Sequence, residues 1–198
     1  MAITAAIVKE LRERTGAGMM DCKSVLNEAN GDMERAIELL REKGLAKAAK
    51  KAGRVAAEGL VKEAISADAK TASIVEINSE TDFVAKNEQF ITFVNDMAQI
   101  VLNNDVNDVE ELKKLPWPED NSKTVADILG EKIAVIGENL SIRRIKHLST
   151  NGTFVSYTHG GGKIVSIVEL DAEGEKANEV GKNIAMQVAA SNPEFLST

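Results

Sequence analysis

The sequence predicts an α+β protein: an N-terminal three-helix bundle followed by two small antiparallel-sheet-plus-helix subdomains. Three observations predict it. Apolar residues recur at helical spacing, with glycine stops, through the first 44 positions; the period shortens to that of strands at Glu58; and a second pair of strand-like runs, turning at Gly160, Gly161 and Gly162, precedes a last helical run. Strands and helices come in clusters, which separates this chain from an alternating α/β fold.

In the first 44 residues, TAAIVKELRERTG places Ile7, Val8 and Leu11 on one helix face, with Thr4 as N-cap and Gly16 as the stop. MMDCKSVLNEANG repeats the pattern with Cys22, Val25, Leu26 and Ala29, ending at Asn30 and Gly31. DMERAIELLREKG adds a third helix capped by Asp32, with Met33, Ala36, Ile37 and Leu40 as its buried stripe. Three short amphipathic helices with tight turns close only a small core, which predicts a compact bundle of the ubiquitin-associated type over residues 1–44. Such modules bind rather than catalyse.

Residues 45–57 form a basic helical linker: around it Lys43, Lys47, Lys50, Lys51 and Arg54 follow one another with alanine as filler. Both a solvated spacer and a contact for an acidic surface fit this composition. Residues 58–150 then form one subdomain. GLVKEAISA and KTASIVEINS read as a hairpin; Val84, Phe90, Ile91, Val94, Ala98, Val101 and Leu102 mark a helix on its sheet. DVNDVEELKKLPWP gives a short helix ended by Pro116, SKTVADILGEKIAVIGEN a longer one with a Thr124 and Asp127 capping pair and Gly137 at its end, and SIRRIKHLS a basic strand. Residues 151–198 carry the second hairpin and the helix EKANEVGKNIAMQVAAS, stopped by Pro193.

Composition excludes several functions. A net charge of −7 and a pI near 5.0 provide no general attraction to phosphate backbones or anionic lipid, so neither direct nucleic-acid contact nor membrane binding is expected. No apolar run approaches the length of a membrane span, and the reading is of a cytoplasmic protein. One cysteine, Cys22, and two histidines supply neither an internal disulfide nor a conventional zinc set, and no cofactor is implied. HGGGK lacks the spacing of a phosphate loop, with Ile164 after the lysine, and reads better as a hairpin turn. No catalytic residue is assigned: His147 and His159 are far apart in sequence, and no serine or carboxylate pattern requires an enzyme.

The junction INSETDFVAKNEQF carries Asp82 and Phe83 where a strand gives way to a helix. Residue pattern alone fits Asp82 as a helix cap with Phe83 stapled to the core; it also fits a ring presented outward from a braced helix start.

Taken in order, VKELRERTGAGMMDCKSVLNEANGD, AKKAGRVAAEG, INSETDFVAKN, IGENLSIRR, YTHGGGKI and AMQVAASNPEF resemble the bacterial elongation factor Ts family nearly end to end. The resemblance implies guanine-nucleotide exchange on elongation factor Tu, both GDP-bound and nucleotide-free, by binding and without catalysis. It implies that the T-D-F-V segment, here Thr81, Asp82, Phe83 and Val84, enters the partner near its Mg²⁺ and phosphate site. It further points to Arg12, Met19 and Met20 on the N-terminal bundle, to Ile136 and Gly137, and to His159 at the glycine turn as partner contacts. A non-exchanging adaptor using the N-terminal bundle is the alternative. Longer family members continue past the stretch matching AMQVAASNPEF. The unit formed by residues 153–191 is thin, which predicts open apolar surface there and pairing with a second copy in a homodimer.

Overall fold

The computed structural model describes residues 3–195. In chain order its elements are α1 (Ala5–Thr15), α2 (Met19–Glu28), α3 (Met33–Lys51), β1 (Glu58–Ile65), β2 (Thr71–Ser79), α4 (Asp82–Ala85), α5 (Glu88–Asn104) and α6 (Val109–Lys114). There follow β3 (Pro116–Trp117), β4 (Asp120–Thr124), α7 (Val125–Ile136), β5 (Leu140–Ser149), β6 (Thr153–His159), β7 (Ile164–Leu170) and α8 (Glu175–Ser191). The class is α+β, and packing divides the chain into two units.

The first unit joins the N-terminal segment through Val55 to residues 114–140. Its helices start and stop where local chemistry directs. Thr4 accepts the Ile7 N–H at 3.4 Å, Asp32 accepts that of Arg35 at 3.0 Å, and Gly16 ends α1 at φ 67. Val8, Leu11, Cys22, Val25, Leu26, Ala29, Ala36 and Leu39 form the bundle core. On α3 the buried positions are Ala36, Leu39 and Gly44, while Met33, Ile37 and Leu40 pack at the margin of the bundle core.

The third helix does not stop at Gly44. It runs 19 residues to Lys51, so most of the basic stretch is its C-terminal half. The reason is packing against α7. A Cβ on Gly44 would lie 3.3 Å from the Ala134 Cβ, and one on Gly130 would lie 2.6 Å from Leu45 Cδ2. Glycine on each helix thus lets the other approach, and Arg41 donates to Asp127 at 2.7 Å beside them. For this reason residues 114–140, which lie within the 58–150 segment of the sequence, pack with the N-terminal helices.

The second unit comprises residues 56–113 and the chain from Ser141 onward. Its larger sheet has the order β1-β2-β5, with β1 and β2 antiparallel from Glu58↔Ser79 to Ile65↔Ala72. The α5 helix covers one face with Phe90, Phe93, Val94, Met97 and Val101, and Ser73 Oγ donates to the Ala98 carbonyl at 2.7 Å. The smaller sheet is the β6–β7 hairpin, paired from Thr153↔Leu170 to His159↔Ile164. Gly181 and Ala185 let α8 settle onto it; a Cβ on Gly181 would come within 2.9 Å of Val155 and Leu170 atoms.

One polar joint in the first unit carries a pH signature. Thr124 and Asp127 form a reciprocal capping box at the start of α7, and Asp127 also receives Arg41. Burial pushes the Asp127 carboxyl up, but hydrogen bonds from Thr124 and Arg41 outweigh it and hold the group below its ordinary value. With its folded-state value depressed, Asp127 contributes stability present above the unfolded-state value and lost as the pH falls through the lower, folded-state one. Asp127→Ala should therefore destabilise the chain by about 1–2 kcal/mol at neutral pH. In urea titrations the gap from wild type should narrow as the pH drops below about 4.

Candidate functional site

The site is built from the end of β2. Ser79 Oγ donates to the Thr81 carbonyl at 3.0 Å, and Thr81, extended at φ −126, caps the single turn of α4 by accepting the Val84 N–H at 3.4 Å. Asn87 then starts the next helix by accepting the N–H groups of Gln89 at 2.9 Å and Phe90 at 3.4 Å. Two caps six residues apart split the predicted single helix in two. Val84 and Ala85 are buried, and the turn packs against β1, β2 and α5.

Phe83 is 79% exposed. The cap is Thr81 and not Asp82, and the ring is presented to solvent instead of stapled to the core. Asp82 is free for another partner: Lys86, one turn on, donates to it at 2.7 Å. That bond, with the nearby charge of Lys163, holds the Asp82 carboxyl below its ordinary value; the hydrogen bond and charge of Asp82 in turn raise the Lys86 ammonium.

His159 belongs to the same unit, exposed at the end of β6, with Nδ1 3.0 Å from the Tyr157 hydroxyl. The glycines after it form a hairpin turn at positive φ, and Lys163 is paired with Glu58 at 2.6 Å. The sequence offered no sign of Glu58, since 105 positions separate it from Lys163. Lys86 was legible in principle from its i,i+4 spacing to Asp82.

The other predicted residues belong to the first unit. Arg12 is exposed on α1, and Met19 and Met20 open α2 at 58% and 75% exposure. Ile136 is part-buried at the end of α7, and Gly137 closes that helix at φ 88. The turn after α1 rests against this end: a Cβ on Gly16 would lie 3.9 Å from Val135. Packing thus brings together N-terminal and mid-chain residues that lie far apart in sequence. The same unit holds a cleft of about 500 Å³, floored by Val25, Ile37, Leu40 and Ala134. Its rim cations are engaged: Arg14 with Glu34, Lys47 with Asp21, and Lys123 with Glu131. Among the described residues no cluster of three or more histidine, cysteine or carboxylate groups could hold a metal ion.

Residues 80–198 match the family model described as elongation factor TS. The chain belongs to the elongation factor Ts family. Its relatives include elongation factor Ts of Clostridium perfringens strain 13, 59% identical across 98% of this chain, and that of Clostridium kluyveri strain NBRC 12016, 57% identical across 98%. Elongation factor Ts of Clostridioides difficile strain 630 is 55% identical, again across 98% of this chain. The chain spans 65% of the length of the first two relatives and 64% of the third.

If the Thr81 hydroxyl sets the direction of this short helix, Thr81→Ala should loosen it. A cap of this kind is worth about 0.5–1 kcal/mol. Hydrogen exchange at the amides of Val84, Ala85 and Lys86 should accelerate by up to fivefold, while amides in the middle of α5 keep their wild-type rates.

Proposed function

We propose that this chain is a guanine-nucleotide exchange factor for elongation factor Tu that acts by binding, with Asp82 and Phe83 entering the partner near its Mg²⁺ and phosphate site. The exposure of Phe83 on a braced helical turn is the observation that carries this reading. A ring already ordered costs little conformational entropy on association. Its burial in a partner pocket yields about 1.5–3 kcal/mol, and more if it forms a hot spot. Asp82 brings a carboxylate to the same place.

Linkage supplies the mechanism. A factor that binds the nucleotide-free partner more tightly than the nucleotide-bound one weakens nucleotide by the same ratio. A ten-thousandfold weakening requires about 5.5 kcal/mol of differential binding. One phenyl ring does not reach this, so the first unit must share the work. Arg12, Met19, Met20, Ile136 and Gly137 are the residues proposed for it, and His159 adds a contact from the second unit. Exposed methionines suit such a role because the side chain adapts to the surface it meets. No cofactor and no nucleic-acid contact enter the scheme. The place of action is the cytoplasm; no helix among the described residues is long and apolar enough to cross a membrane.

The same exposure of Met19 and Met20 favours a second reading, an adaptor that binds through the N-terminal bundle regardless of nucleotide. Release of fluorescent GDP from elongation factor Tu separates the two. Wild type should accelerate release, and Phe83→Ala should reduce that acceleration about tenfold or more with the fold retained. Equal affinity for GDP-bound and nucleotide-free partner would establish the adaptor instead.

Pairing with a second copy through residues 151–198 is part of the proposal. Val180 and Ile184 stand exposed one turn apart on α8, the helix that covers the smaller sheet, giving a stripe that a twin helix can bury. Ile184→Lys should shift wild-type dimers to monomers in analytical ultracentrifugation. A monomeric wild type at tens of micromolar would remove this element.

A further inference from the structure

The glycine turn between β6 and β7 is fastened to β1. The Val61 N–H donates to the Gly162 carbonyl at 2.7 Å, and Lys163 Nζ donates to Glu58 Oε2 at 2.6 Å. Gly162 stands at φ +96, and a Cβ there would come within 3.2 Å of the Val61 carbonyl oxygen, so this approach requires glycine. The α4 turn packs against the same strand. Lys163 acts electrostatically on Asp82, and Glu58 acts on Lys86. Glu58, Lys163, Asp82 and Lys86 therefore form a cluster of alternating charge at the base of Phe83, and the turn that ends in Lys163 begins at His159.

We infer that Lys163 is a positioning residue: by tying the glycine turn to Glu58 beside α4, it holds the Asp82 and Phe83 segment and the His159 turn as one preset surface. The geometry stands by itself; its consequence for exchange rests on the function proposed above. Setting two contact elements before the encounter removes an ordering cost that the partner would otherwise have to offset. Both members of the pair are 45% exposed, so the effect is modest, about two- to fivefold in apparent affinity.

Lys163→Met, Lys163→Arg and Gly162→Ala in the full chain test this. In the free protein, the Asp82 side-chain carboxyl carbon is followed by NMR against pH. Its titration should move up in Lys163→Met and stay at the wild-type position in Lys163→Arg. In GDP release, Lys163→Met should raise the half-saturating concentration of the chain two- to fivefold with the maximal rate retained, and Lys163→Arg should restore it. Gly162→Ala should act in the same direction as Lys163→Met. Simple destabilisation would instead lower the melting temperature and the active fraction. An Asp82 titration indifferent to Lys163→Met, or release curves superimposable on wild type while Phe83→Ala is impaired, would overturn the inference. Should wild type itself leave GDP release unchanged, the exchange reading falls, and the Asp82 titration still decides where Lys163 acts.

Discussion

Val84 and Ala85 are buried between two side-chain caps, and this constraint governs the direction of the exposed ring beside them. Thr81 fixes where the α4 turn begins and Asn87 fixes where α5 begins, so only one helical turn fits between the strand and the long helix. Each residue in that turn advances by about 100°. With positions 84 and 85 turned inward, position 83 faces out, and position 82 lies within reach of Lys86. Rigidity comes from the same source, because the helix start is held by the sheet behind it and by α5 in front.

The first unit rests on a different constraint, the close approach of α3 and α7. Gly44 against Ala134 and Leu45 over Gly130 bring the backbones near enough for Arg41 to reach Asp127. That contact carries α3 past a glycine that would ordinarily weaken it by about 1 kcal/mol relative to alanine. The turn at Gly16 likewise lies beside Val135, so segments far apart in sequence meet near the end of α7.

Local chemistry made much of this readable in advance. Thr4, Gly16, Asp32, the Thr124 and Asp127 box, and the turn at Gly160, Gly161 and Gly162 act within a few residues of themselves, and each does in the fold what its neighbours indicate. What escaped was set by tertiary contact. Gly44 reads as a stop until Ala134 is beside it. The bulged β3–β4 hairpin has two residues in its first strand, too few for any period. The α5 stripe includes Phe93 and Met97, whereas Ile91 stays exposed, because the arc shared by Phe90, Phe93, Val94, Met97 and Val101 leaves position 91 at its outer edge. At the site, residue pattern left the cap open; with Thr81 as the cap, Val84 and Ala85 are the inward pair of the turn and Phe83 lies outside.

Around that ring the ion-paired side chains impose a condition on whatever covers it. A plain greasy surface settling over Phe83 would strip water from Glu58, Lys163, Asp82 and Lys86 and give them nothing in return, a penalty larger than one phenyl ring recovers. Only a visitor bringing its own complementary groups escapes it. The outward ring of Phe83 thus comes with exposed charges of both signs, and the cost of drying them weighs against any covering surface that lacks polar groups.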